Sequence, residues 1–240
     1  MLYAMWFAVV TLGYFVKGVA GFGNSPIHTG LMALALDNTD LTPVDYVLTF
    51  PANIALTVKH RKYLKTELWL PGALITMLAV IPGVLLLRNM DSRALKVLCG
   101  IVIALLGADM LLRREGAQKT PPKWAVLALT GVSGVINGLF GIGVLLAAVM
   151  GRVIPDSRTL KANMSAIFTA GNLVMLPVYL LTGLLTKDVL LRALSLYPAM
   201  GLGLFLGIRF AGKVREQTVR RCAAVLLVVC GVLLFIGNVG

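Results

Sequence analysis

Charge is scarce in this sequence. Lys, Arg, Asp and Glu make up only 13% of its 240 residues, about half the share of a soluble domain. That leaves too little polar surface to clothe a water-facing globule. Acidic residues are the scarcer sign, 10 against 22 basic ones, for a net charge of +12. A nucleic-acid binder gathers such an excess on one face. Here the cations stand in short runs between apolar stretches, as they do in cytoplasmic loops, so a lipid bilayer is expected as partner and nucleic acid is not. The three cysteines, Cys99, Cys222 and Cys230, lie in apolar runs without metal-ligand spacing; neither a metal nor a cofactor is expected. No G-x-x-x-x-G-K-[ST], H-E-x-x-H, paired membrane aspartates or recognised Ser/His motif occurs. Those absences argue against ATP hydrolysis by this chain and against an intramembrane enzyme. The first 16 residues have no basic n-region and no clear cleavage site, so a cleaved signal peptide is not expected.

Apolar sequence is what remains: 58% of residues, with a mean hydropathy of +0.89. A spanning helix needs about 20 such residues. Residues 68–87, 94–112, 162–181 and 189–208 qualify, 219–236 nearly so, and 44–58 is shorter and interrupted by Pro51 and Asn53. Two further regions, 2–36 and 124–150, are too long for one simple helix and are broken by glycines. The expected fold is an all-α integral membrane protein of about eight hydrophobic segments with no soluble domain.

The glycine breaks match. Gly18-Val-Ala-Gly21-Phe-Gly23 and Gly138-Leu-Phe-Gly141-Ile-Gly143 both read G-x-x-G-x-G and stand half a chain apart. With small gaps, Asn53 then falls near Asn172, Arg88 near Arg209, and Cys99 and Gly107 near Cys222 and Gly231. Two membrane repeats follow, 1–116 and 117–240. Charge orients them. If each glycine region is a hairpin entering and leaving on one side, the loops on the inner side carry sixteen Lys and Arg, and the outer loops, including 37–45, carry five. That split obeys the positive-inside rule. Each half then makes three crossings, so the second is inverted and both termini face outward. Inverted repeats with broken helices are a transporter arrangement, with the site near the midplane.

The breaks also carry the candidate chemistry. A helix restarting inside a membrane points amides and a positive dipole end into its surroundings, which suits an anion; the alternative is that the glycines only allow close packing, as Gly134, Gly138, Gly203 and Gly207 are expected to do. Lys17 precedes the first break, and its repeat mate is Asn137. Both can donate to an anion, or Lys17 can snorkel to an interface. Asn24, Ser25 and His28 follow the first break, and His28 is a proton-carrier candidate or a structural histidine. Asn53 and Asn172, with Thr49 and Thr169 nearby, are substrate ligands or interhelical glue. The candidate substrate-binding set is therefore Lys17, Gly21, Gly23, Asn24, Ser25, His28, Asn53, Asn137, Gly141, Gly143 and Asn172. Asp109 reads as the one acidic residue within a span, one turn from Arg113, and an interfacial pair is expected of them.

These paired breaks, the two halves and the length resemble the sulfite exporter TauE/SafE family of bacterial membrane proteins. Asn24 and Val144 stand where that family often has a further glycine. The resemblance implies a multi-pass protein of the bacterial plasma (inner) membrane that exports sulfite, sulfonates or related organosulfonates. The residues themselves reach only a small anionic substrate and a secondary transporter; a passive anion channel stays open, as does a homodimer. With no acid in mid-span, efflux of a monoanion driven by the inside-negative potential, without a coupling ion, is the expectation.

Overall fold

The computed structural model describes residues 2–34, 36–112, 121–154 and 156–239, with the side chains of Leu2 and Glu216 left aside. Among them are ten α-helices and no strand: α1 (Leu2–Ala20), α2 (Asn24–Met32), α3 (Asn38–Lys59), α4 (Thr66–Asn89), α5 (Ser92–Leu112), α6 (Lys123–Phe140), α7 (Val144–Val153), α8 (Ser157–Thr182), α9 (Lys187–Phe210) and α10 (Glu216–Val239). Seven, all but α2, α3 and α7, are long and apolar enough to cross a membrane. At 1.5 Å per residue the 24 residues of α4 span about 36 Å, more than the hydrocarbon core of about 30 Å.

Helices pair where glycines let backbones touch, the usual device where lipid removes the hydrophobic drive for association. A side chain on Gly18 would meet the Gly207 backbone at 2.8 Å, and Gly203 lies against Thr11, so α1 runs parallel to α9. In the same way α4 runs parallel to α6, with Gly83 against Gly138 and Gly134 against Ala79. Gly100 and Gly107 close the antiparallel pair α5 and α10 against Gly231 and Ala224. Between these pairs α3 and α8 cross the centre antiparallel, with Thr57 and Thr169 hydroxyls 3.4 Å apart and the Tyr46 hydroxyl donating to the Asn172 carbonyl. Pro51 lacks the N–H that would bond Val47, and the Tyr197 hydroxyl fills that place at 3.1 Å.

Both glycine regions are helix, break, short helix. α2 folds back along α1, since a side chain on Gly13 would strike His28, and Lys17 reaches Asn24. The bundle's two ends differ. At one, Asp37 meets Ser92 and Lys96, and Arg192 meets Asp40. The other gathers Tyr63, Arg158, Lys65 and Asn163. The α1/α2 hairpin starts at the first end and the α6/α7 hairpin at the second, which is compatible with inversion of the halves. Arg113, the expected partner of Asp109, lies outside the described residues.

Two boundaries correct the sequence reading. α8 starts at Ser157 and not at residue 162, because the Asp156 carboxylate caps the Thr159 N–H at 2.8 Å. α3 starts at Asn38 and not at residue 44. Asp45, expected in an outer loop, is therefore inside the bundle and 2% exposed. The expectation of no acidic residue within the membrane core apart from Asp109 is wrong for this reason.

Candidate functional site

The two breaks are built alike. Gly21 closes α1 with φ +87° and Gly141 closes α6 with φ +71°, a left-handed conformation that favours glycine. Three residues later α2 and α7 begin, and no side chain caps either N-terminus. Pro26, in the first turn of α2, has no N–H to satisfy.

The tips face one cavity. Its lining comes from the first break (Lys17, Phe22, Gly23, Asn24, Ser25, Pro26), from the second (Asn137, Gly141, Gly143), from α3 (Thr49, Asn53) and from α8 (Phe168, Asn172). The cavity volume is about 20 Å³. As it stands the cavity has room for about one water-sized group.

Nine of the eleven sequence candidates line it: Lys17, Gly23, Asn24, Ser25, Asn53, Asn137, Gly141, Gly143 and Asn172. Lys17 is 1% exposed and does not snorkel. The Asn53 amide oxygen and nitrogen and the Asn172 amide nitrogen are buried without a hydrogen-bond partner, an expensive state for amides in a low-dielectric interior. Gly143 lies beneath the Phe168 ring. The other two candidates lie off the lining. Gly21 packs on the Lys161 side chain, whose ammonium donates to the Val19 carbonyl. His28 sits behind Asn24 and Ser25.

Behind those residues is the group the sequence reading missed. Asp45 Oδ1 lies 2.8 Å from His28 Nδ1 and accepts from Thr49 Oγ1 at 3.3 Å and Asn24 Nδ2 at 3.4 Å. Its Oδ2 accepts from Ser25 Oγ at 2.5 Å. Lys17 Nζ donates to Asn24 Oδ1 at 3.1 Å, so the Asn24 amide links ammonium to carboxylate. The Tyr14 hydroxyl is 2.9 Å from Thr49 Oγ1, and its ring packs on His28 at 5.2 Å. A signal for Asp45 was present. Asn38, Thr42, Asp45, Thr49 and Asn53 recur every three or four residues, a polar stripe along one helix face. Phe22 and Phe168 carried no signal beyond being apolar.

The arrangement offers one ammonium, two uncapped helix N-termini and four amide side chains around a small space. Among the described residues no group of His, Cys, Asp and Glu is placed to hold a metal ion.

Comparison with known proteins places these features in context. The family model for the sulfite exporter TauE/SafE matches residues 6–234. A protein of Comamonas testosteroni described as "Probable inner membrane transporter protein TsaS" is 26% identical over 164 residues, covering 67% of this chain and 69% of that protein. No solved structure matches.

Proposed function

The chain belongs to the sulfite exporter TauE/SafE family and is a multi-pass membrane transporter of that type, and from that premise we propose that it carries a small sulfur oxyanion, such as sulfite or a sulfonate, through the central cavity. The observation that carries this reading is the convergence of Lys17, the N-termini of α2 and α7, and the unpartnered amides of Asn53 and Asn172 on one narrow space. Each is a donor, and a tetrahedral oxyanion presents several acceptors at once. The Comamonas relative, named as an inner membrane transporter, supports the bacterial plasma membrane as its location.

Transport by alternating access fits two units, 1–116 and 117–240, inverted about this cavity. The matched pairs α1 with α9 and α4 with α6 support that division. Export fits the charges: Lys161 beside Gly21, and Arg220 with its guanidinium 4.8 Å over the Phe22 ring, put cations at the tip that reaches the basic, cytoplasmic end. Such a patch raises the local anion concentration on that side. Chemistry on the substrate is no part of this role.

The test is flux in proteoliposomes with sulfite, ethanesulfonate, taurine and acetate. Saturable ethanesulfonate or sulfite flux with counterflow supports the reading. Flux without trans-stimulation makes the cavity a channel, and acetate preferred over all sulfur oxyanions removes the substrate class.

A further inference from the structure

We infer that the buried Asp45–His28 pair binds a proton that travels with the anion, so that transport is electroneutral proton–anion symport. The inference rests on the cavity being the anion site, as proposed above.

Lys17 and Asp45 are the only formally charged side chains among the described buried residues. The Asn24 amide ties them together, and with His28 neutral they sum to zero. A monoanion beside Lys17 leaves the buried cluster with a net negative charge. An uncompensated charge in a low-dielectric interior is costly, and a cluster in that state recruits an opposite charge. Among the described residues no second cation faces the pair. Tyr14 contacts it from α1, Lys17 only through Asn24, Tyr179 faces it from α8, and Tyr197 lies beyond on α9. Just past the end of α6, the Cβ position of Gly141 lies 3.0 Å from Asp45 Oδ2. A proton is the charge that fits.

The pair has a place for it. His28 Nδ1 and Asp45 Oδ1 share one hydrogen bond at 2.8 Å. His28 Nε2 is buried and has no hydrogen-bond partner. A proton arriving from water adds to that lone pair or to the carboxylate. One O–H bond of the hydronium carrier breaks as the new N–H or O–H bond forms, water leaves, and the pair goes from a charge of minus one to zero. Asn24, Ser25 and Thr49 each line the cavity and also bond Asp45. Ligand and ionised carboxylate therefore compete for the same three donors, and a proton on the pair frees those donors for the anion, so that occupancy of one site favours occupancy of the other. The expectation of uncoupled efflux assumed no acid in mid-span, and Asp45 removes that premise. Net export then runs when the outward anion gradient exceeds the inward proton gradient.

The experiment uses the full chain in proteoliposomes with a trapped pH dye and ethanesulfonate, a fixed monoanion whose sulfonate stays ionised. With the potential clamped at zero, an inward ethanesulfonate gradient should acidify the lumen. A pH step of one unit should shift the anion distribution about tenfold, and an imposed potential of about 60 mV should leave it in place. An electrogenic carrier would instead shift about tenfold for that potential. In Asp45→Asn and His28→Gln an inward ethanesulfonate gradient should no longer acidify the lumen, and the ethanesulfonate flux that is left should follow the imposed potential and not the pH step. Ethanesulfonate binding with parent flux that follows the potential and moves no proton overturns the inference alone. Absence of both binding and exchange in the parent overturns the anion site as well.

Discussion

Lys17 and Asn137 make the same main-chain bond in opposite hairpins. The Lys17 carbonyl accepts from the Gly21 N–H at 2.7 Å, and the Asn137 carbonyl accepts from the Gly141 N–H at 2.8 Å. Each bond ends a long helix with a left-handed glycine. The side chain one turn before that glycine lies on the cavity lining. The glycine thus fixes where the donor four residues earlier comes to rest, which links a backbone requirement to the chemistry of the site.

Substituting either glycine should separate packing from function. A side chain in the left-handed region costs roughly 1–2 kcal/mol. At Gly21 it also meets Lys161 Cγ at 2.5 Å, and at Gly141 it meets Asp45 Oδ2 at 3.0 Å. Gly21→Val and Gly141→Val should abolish transport while the protein still inserts. Gly183 shares the conformation, at φ +72°, with nothing within 4 Å. Gly183→Ala should lower the detergent melting temperature and leave transport intact. Flux measured beside melting curves checks this; full activity in both Val variants would reduce the breaks to packing.

Lys17→Met should weaken ethanesulfonate binding about ten- to hundredfold, the worth of a charged hydrogen bond at roughly 1.5–3 kcal/mol. The substitution also leaves Asp45 without the cation linked to it through Asn24, so the single variant is expected to lose stability. Adding Asp45→Asn should restore the melting temperature without restoring affinity. Calorimetric titration of the purified single and double variants reads both quantities. Recovery of binding in the double variant would assign Lys17 a structural role.

Topology is checked by labelling a cysteine-free background, with Cys99, Cys222 and Cys230 replaced. Thr39→Cys, at the start of α3, should react in intact cells with a membrane-impermeant maleimide. Lys62→Cys, in the basic segment after α3, should react only after permeabilisation. The reverse pattern would contradict both the charge-based orientation and the placement of Lys161 and Arg220 at a cytoplasmic mouth.

The hairpins were legible because glycine is strong local punctuation: G-x-x-G-x-G marked both breaks, and Lys17, Asn24 and Asn137 followed from their positions beside them. Small residues likewise announced the helix pairs, as Gly203 and Gly207 show. The first two turns of α3 were not legible. Asp37, Asn38, Asp40 and Pro43 carry turn chemistry, and a hydropathy window over them falls too low for a span. The partners that make Asp45 tolerable in the interior come mostly from α2, with Thr49 from α3 itself, and the packing of α2 on α3 is a tertiary fact with no local trace. Only the spacing of Thr42, Asp45, Thr49 and Asn53 carried it, and that spacing marks a polar helix face without saying that the face is buried.

Asn53 and Asn172 give the sharpest separation of binding from stability. Their amide groups are buried, and the Asn53 oxygen and nitrogen and the Asn172 nitrogen lack partners. An unsatisfied buried polar group costs about 1–3 kcal/mol, so an apolar side chain of similar size should be neutral or stabilising in the ligand-free protein. Asn53→Leu and Asn172→Leu should therefore melt at the same temperature as the parent or higher. If the amides serve an oxyanion, each variant loses a donor exactly where the ligand sits, and ethanesulfonate affinity should fall at least several-fold. The stabilisation that saturating ethanesulfonate gives the parent, set by the ratio of ligand to dissociation constant, should shrink in step. Melting curves with and without ethanesulfonate measure both effects in one series. A lower melting temperature with unchanged affinity would make the two asparagines interhelical glue and would leave Lys17 and the helix N-termini to hold the anion alone.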